Sequence, residues 1–466
     1  MIRLVRAAPC SRLQRVHTQR TVKSKRHLRC ASSLADAMKE PREADESDVV
    51  IVGAGPAGLS AAIRIKQLDE KHGTDTSVAL VEKAPEVGRQ ILSGAVLEPR
   101  ALNELIPDWK EKGAPVSTEV SSEAMYFLTE KNKIPLPTIP EIRNHGNYII
   151  SLGNLCEWMG EQAEELGVDI FPGYAASEVL YDDGVVTGIA TGDAGIGKDG
   201  NPTDNFMRGM ELKAPITLFA EGCRGSCSKD VMSKYKLDAN SQPQAYGIGI
   251  KEVWEVQPEK FQKGLVNHTI GWPVNDGKTW AGSFAYHWDD NKVNFGYVVG
   301  LDYQNPYLNP YMEMQRLKTH PHFAELFEGG KPIGYGARAL NEGGYQSIPK
   351  LVFPGGALLG CSAGLLNVPK IKGSHTAMKS GIVSGEAAYA AIHGTKEDQR
   401  KGMVLDAYEK NLKESWVFEE LKKVRNIHPA WSKFGTYGGM LYTGAHWFFT
   451  GGKEPWTLDH HKGGDH

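Results

Sequence analysis

The chain has 466 residues, 41% apolar and 23% charged, with a formal net charge of −3. This length is enough for two or three domains, each with its own core, and the near-neutral charge gives no reason to expect nucleic acid as a partner. No uncharged apolar run reaches the roughly 18 residues that a membrane-spanning helix needs, and neither an internal repeat nor a low-complexity block is visible.

Between Arg3 and Arg29 nine Arg and Lys residues precede the first acid, Asp36, with Ser and Thr interspersed. That is the composition of a mitochondrial transit peptide, expected over residues 1–40 and outside the fold. The run from Asp48 to Val52 then breaks into Gly53-Ala54-Gly55-Pro56-Ala57-Gly58-Leu59-Ser60. It reads as strand, tight turn and helix: Gly53 for the turn, Gly55 for backbone approach to a pyrophosphate, Gly58 for close helix packing. A second strand, Ser77 to Glu82, ends in an acid 24 residues past Gly58, a spacing that suits a carboxylate on a ribose hydroxyl. The spacing predicts that Val52 to Ser60 and Glu82 bind a dinucleotide. Ser93 and Gly94, in a small-residue stretch, are candidates to line the flavin side of the crevice.

Residues 125–142 mix apolar residues with prolines and read as a surface contact patch. Leu152 to Gly167 has helical apolar spacing and leads into a short strand at Val168, and another strand is expected at Pro215 to Gly222. From Gln242 to Tyr335 aromatic and alternating segments predict an inserted antiparallel sheet that keeps one face for a ligand. The nucleotide domain returns at Leu351, delivering Gly364 and Asn367, with a helix opening near Gly373 whose N-terminus suits the anionic edge of a reduced flavin. Lys370 and Lys372 read as solvated surface lysines, with added charge at that edge as the alternative. Residues 434–456, aromatic and glycine-rich, read either as an apolar hairpin in a membrane interface or as a segment buried against the body.

Six cysteines are present: Cys10, Cys30, Cys156, Cys223, Cys227 and Cys361. The pair Cys223 and Cys227 has no partner pair or histidine at ligand spacing, so idle thiols are expected and no metal site.

With these residues in view, the chain from about residue 48 to residue 463 resembles the electron transfer flavoprotein–ubiquinone oxidoreductase family. The stretches that carry the resemblance are Asp48–Ile63, Ala245–Trp254, Gly300–Tyr307, Tyr335–Gly344 and Asn367–Gly373. The resemblance implies an α/β fold with a Rossmann-like, glutathione-reductase-type FAD-binding domain (46–120, 165–240 and 336–405). It further implies an inserted antiparallel α+β domain for ubiquinone and membrane contact (121–164 and 241–335), and a C-terminal segment (406–466) with an apolar membrane hairpin. FAD is the implied cofactor. Electron transfer flavoprotein, ubiquinone and the lipid surface of the mitochondrial inner membrane, on its matrix face, are the implied partners. The quinone-contacting pair corresponds to Ala281 and Gly282, where Ala281 replaces a glycine of the family pattern. The family's [4Fe-4S] cluster is held by four cysteines of a C-terminal region, and no cysteine follows Cys361, so its ligands are not expected among these residues. The alternative reading is an FAD-binding, membrane-associated form unable to accept electrons from the flavoprotein.

Overall fold

The computed structural model describes residue 36 and residues 38–91 and 94–460. Most of the expected targeting segment, and Ser93, lie outside the described residues.

A six-stranded sheet forms the nucleotide-binding half, in the order Val352–Phe353, Gly356–Leu358, Ile216–Phe219, Val49–Val52, Val78–Glu82 and Asp169–Pro172. All neighbouring pairs are parallel except the first. Val49 to Val52 and Ile216 to Phe219 are buried throughout, as expected for parallel strands covered on both faces. The helix Pro56–His72 starts with proline in its first turn and ends at Gly73 in the left-handed conformation. It packs closely on the long helix Ser374–Gly394. A Cβ on Gly381 would come 2.2 Å from the carbonyl oxygen of Ala57, and one on Gly385 2.7 Å from that of Ala61. Only glycine lets these two backbones approach so nearly.

The second half is a seven-stranded sheet ordered Lys331–Asn341, Tyr246–Glu255, Lys292–Gly300, Ala281–Trp288, Leu265–Gly271, Ser122–Leu128 and Lys133–Pro135. It is antiparallel, as the alternating sequence predicts, except that Leu265–Gly271 runs parallel to Ser122–Leu128. Residues 125–128 and 133–135 of the expected surface patch are therefore sheet strands, and Lys133, Ile134 and Pro135 are all exposed. One face, carrying Phe295, Tyr297 and Val299, buries against the helices Pro310–Lys318 and Pro321–Phe327. The opposite face carries Phe284 and Tyr286, which share a core with Val96 and Ile149.

The C-terminal aromatic stretch corrects the expectation of a hairpin. Ile427–Ala445 is a helix interrupted at Gly435 and prolonged by a π turn over His446–Thr450. Phe434, Tyr437, Leu441 and Phe448 are spaced by three, four and seven residues, which is a helical period rather than a strand period. At the break, the Thr436 N–H donates to the carbonyl of Gly277, 2.9 Å away. Among the described residues, no helix is long and apolar enough to cross a membrane.

Candidate functional site

The three glycines of the first turn have separate physical tasks. Gly53 has φ +105° and lies so near the next strand that a Cβ would come 2.6 Å from the carbonyl oxygen of Ala220. Gly58 faces the turn itself, with 2.1 Å between a built Cβ and the Gly53 carbonyl oxygen. Gly55 caps the helix with no side-chain hydrogen bond, and a Cβ there would meet nothing within 4 Å. A helix N-terminus without a side-chain cap, beside open space, is the cradle that a pyrophosphate needs. The end of Val78–Glu82 closes the other side. The Glu82 carboxylate accepts from the N–H groups of Ala54 at 3.0 Å and Ala84 at 2.8 Å, which fixes it at the mouth of the crevice.

Other expected contacts divide by burial. Gly53, Gly55 and Pro56 are partly accessible, whereas Val52, Ala54, Ala57, Gly58, Leu59 and Ser60 are buried. Ser60 turns toward the long helix, since a Cβ on Gly381 would lie 2.9 Å from the Ser60 Cβ. Ser60 thus packs in the helix pair, and Leu59 lies in the hydrophobic core.

Gly94 stands where the two halves meet. A Cβ there would lie 2.6 Å from the Asn294 side chain, and its carbonyl accepts from Lys251 Nζ at 3.0 Å. Burial, with Arg338 nearby, pushes Lys251 down to about 8. Asn294 is buried with neither amide atom hydrogen-bonded to protein. A buried amide with both ends open fits a polar ligand at this interface. Neither residue was marked by the sequence, because each sits in an ordinary alternating strand.

Strand register sorts the rest. Gly282 pairs with Val298, Phe284 with Gly296 and Tyr286 with Asn294, while Lys251 pairs with Gly296 and Gly249 with Val298. Directly paired residues share a face, so Gly249, Lys251, Gly282, Asn294 and Gly296 all face the nucleotide half. Ala281 points the other way, into the core beneath the sheet. Its extra methyl is therefore remote from the face that Gly282 floors.

The loop after Gly364 corrects another expectation. Gly364 is left-handed (φ +75°) and crowds Gln244, with a built Cβ 2.8 Å from its Nε2. Asn367 is buried and donates its amide to Glu141 at 2.9 Å and Glu420 at 2.8 Å, so its side chain is committed to protein. Lys370 and Lys372 are not solvated surface lysines. Lys370 Nζ bridges Glu98 at 2.5 Å and Glu420 at 3.1 Å, and burial together with the Lys370 charge lowers Lys372 to about 8. His375 completes the group through Glu420 at 2.9 Å. Burial alone would raise Glu420, but His375, Lys370 and Asn367 hold it down at about 2. Glu98, His375 and Glu420 converge as metal ligands would, yet the Lys370 ammonium already supplies the cation between the carboxylates. Glu420 lies 50 residues beyond Lys370, too far for any local pattern to pair them.

Residues 246–340 match the family described as ETF-QO, ubiquinone-binding, and residues 51–107 match the NAD(P)-binding Rossmann-like domain. The mitochondrial electron transfer flavoprotein-ubiquinone oxidoreductase of Bos taurus is 58% identical over 433 residues, covering 91% of this chain and 70% of that protein. That of Dictyostelium discoideum is 56% identical over 432 residues, covering 91% and 71%. The chain belongs to the electron transfer flavoprotein–ubiquinone oxidoreductase family. Among solved structures, a geranylgeranyl bacteriochlorophyll reductase-like protein of Thermoplasma acidophilum aligns with TM-score 0.61 at 17% identity, covering 88% of this chain and 98% of that one. A flavin-dependent brominase aligns with TM-score 0.58 at 15% identity, covering 88% and 96%. At such identities the likeness concerns the fold alone. It is the fold expected for this family, a Rossmann-like domain joined to a sheet that faces it.

The described residues do not fit the [4Fe-4S] cluster. Cys156, Cys223, Cys227 and Cys361 are free, and the only converging group of three metal-ligating side chains among the described residues contains no cysteine.

Proposed function

We propose that this chain is an FAD-dependent oxidoreductase that passes electrons from reduced electron transfer flavoprotein to ubiquinone, linking mitochondrial fatty-acid and amino-acid oxidation to the respiratory chain. The observation that carries the proposal is the meeting of two surfaces: the open cradle at Gly55 and Glu82, and the glycine-floored face of the family's ubiquinone-binding segment. When bound, FAD supplies the redox centre that takes up and releases electron pairs. The protein's part is binding and orientation. The helix N-terminus at Gly55 binds the pyrophosphate, Glu82 holds a ribose hydroxyl, and Gly94, Lys251 and Asn294 line the junction where the ring system meets the sheet. Gly249 and Gly282 leave that face flat enough for a quinone head group, while Gly296 makes room for the Phe284 ring beside it.

The lipid surface of the inner membrane, on the matrix side, is the source of the quinone. Phe434, Tyr437, Leu441, Phe448 and Phe449 are all exposed on the C-terminal helix and its π turn, an apolar surface suited to the headgroup region. Residues 46–120, 165–240 and 336–405 form the FAD-binding unit in this reading and residues 121–164 and 241–335 the quinone unit, except that residues 336–341 lie on the edge strand Lys331–Asn341 and go with the quinone sheet.

The test is anaerobic. Purified protein should carry noncovalent FAD, and its dithionite-reduced form should be reoxidised by a short-chain ubiquinone analogue. A folded but colourless protein, or a reduced flavin indifferent to quinone, would rule the assignment out.

A further inference from the structure

Glu342 follows directly on the edge strand Lys331–Asn341 and is only 3% exposed. Its carboxylate lies over Gly247: a Cβ there would come 2.4 Å from Oε1 and 2.9 Å from Oε2. Gly247 pairs with Gly300, whose N–H donates to the Trp280 carbonyl at 2.8 Å, so the three backbones lie side by side at one end of the sheet. Counting in twos along each strand, Gly247 shares its face with Gly249, and Trp280 shares its face with Gly282. The carboxylate therefore sits at the end of the surface that Gly282 floors, with the Trp280 indole beside it. Its Oε2 has no hydrogen-bond partner.

A second buried group stands behind it. His428 Nε2 is 4.0 Å from Glu342 Oε2, and its Nδ1 is also unpartnered. The His428 ring meets Trp280 edge-on at 5.5 Å and lies 5.7 Å from the ring of His460. His460 Nε2 bonds the carbonyl of Gly343 at 2.6 Å, and the adjacent Asp459 is exposed. A small cavity lined by Glu342, Leu366, Val368, Arg425 and His428 lies at the contact. Unpaired buried polar groups cost folding free energy, and two aligned in a row from a ligand face toward the surface call for a functional explanation.

We propose that Glu342 is the acid that protonates the quinone bound against Gly282, and that His428 and His460 return the proton from solvent. This rests on the quinone reading above. Reduction of the quinone to quinol takes two electrons from the reduced flavin and two protons. Glu342 gives its O–H proton to the nearer carbonyl oxygen and becomes a carboxylate, and the farther oxygen takes its proton from water, the hydroxide left being neutralised by the proton the flavin loses on oxidation. His428 then passes a proton from Nε2 to the carboxylate and receives one at Nδ1 from the side of His460, which restores Glu342 and leaves His428 as its Nδ1–H tautomer, reset by a ring flip before the next turnover. The 4.0 Å gap is longer than a hydrogen bond, as such contacts often are before substrate binds.

The groups facing this line are Asp302, Trp280, Cys223 and Arg425 around Glu342, and Lys433 and Asp459 around His460. Burial, reinforced by the Asp302 charge and opposed by Trp280, raises Glu342 to about 8, so it holds its proton at neutral pH. Burial, with His460 adding to it, lowers His428 to about 3 and keeps the imidazole neutral. Quinone reduction should accordingly be level below about pH 8 and fall above it.

The experiment follows reoxidation of the dithionite-reduced, FAD-loaded protein by a short-chain ubiquinone analogue, and by ferricyanide, which takes electrons without protons. Glu342→Gln is expected to slow the quinone reaction roughly a hundredfold, to remove its alkaline fall, and to leave ferricyanide at the wild-type rate. Glu342→Asp, which keeps the acid, should recover part of the rate and guards against a folding defect in the first variant. Wild-type quinone kinetics in Glu342→Gln, or equal slowing with both acceptors, overturns the proposal while leaving the quinone reading in place. Failure of the wild type itself to reduce quinone overturns both.

Discussion

Gly55 and Gly58 are three residues apart on one turn and face opposite constraints: a Cβ on Gly58 would come 2.1 Å from the Gly53 carbonyl oxygen, whereas one on Gly55 would meet nothing within 4 Å. One glycine is there for the protein and the other for its ligand. Gly55→Val should therefore fold normally yet purify without flavin, because its branches enter the pyrophosphate space and its backbone, at φ −88°, accepts any residue. Gly58→Ala should instead lose at least about 1–3 kcal/mol, the cost of forcing an atom between packed backbones. Flavin absorbance and thermal melting separate the two, and a Gly55→Val protein that retains full FAD would refute the cradle.

The exposed rings on the C-terminal helix predict membrane binding. Phe448 and Phe449 are 78% and 87% exposed, whereas the Trp447 indole N–H is buried and Lys423 lies over its ring. Each phenylalanine is worth roughly 1.5–3 kcal/mol when removed from water, so the pair should shift partitioning at least about a hundredfold. Replacing both by Glu should leave the protein in the supernatant of a liposome sedimentation assay that pellets the wild type. Equal pelleting would remove this surface from consideration.

Ala281 and Gly282 are adjacent but serve different faces of the sheet. Ala281→Gly should cost about 0.5–1 kcal/mol of stability through backbone entropy and leave the KM for a quinone analogue unchanged. Gly282→Val should raise that KM several-fold, because its side chain projects from the floor facing the nucleotide half and its Cβ starts only 3.1 Å from the Thr269 carbonyl oxygen. A reversed pattern in steady-state kinetics would show that the face has been misassigned.

Glu420 makes the fold sensitive to acid. Its folded value of about 2 lies below the ordinary 4.5, so it stabilises the native state above that ordinary value and loses the contribution as pH falls toward 2. The difference corresponds to roughly 3 kcal/mol at neutral pH. Glu420→Gln should thus be less stable than the wild type in neutral urea denaturation, and the two curves should converge on acidification. A gap that stays constant with pH would mean that Glu420 acts through packing alone.

What the sequence determined by itself was the part governed by neighbours along the chain. A glycine turn between a β-branched run and a helix is a local backbone requirement, and Gly53, Gly55, Gly58 and Glu82 could be read from spacing because strand, turn and helix are contiguous. The alternation from Gln242 to Tyr335 identified a sheet for the same reason, and each stretch that resembled the family is contiguous in the chain. Tertiary structure decided everything that depends on residues remote in sequence. Lys370 looked solvated until the fold brought Glu98 and Glu420 against it, and Asn367 looked available until Glu141 and Glu420 took its amide. The register of Ala281–Trp288 with Lys292–Gly300 settled which of two adjacent small residues faces the nucleotide half, since strand side chains alternate and a shift of one residue reverses the answer. The aromatic C-terminal stretch read as a hairpin or as a buried segment because its ring and glycine composition masked the helical spacing of Phe434, Tyr437, Leu441 and Phe448. The approach of Glu342 to His428, 86 residues apart, has no trace in either neighbourhood, because it exists only where the end of an edge strand meets the start of the C-terminal helix.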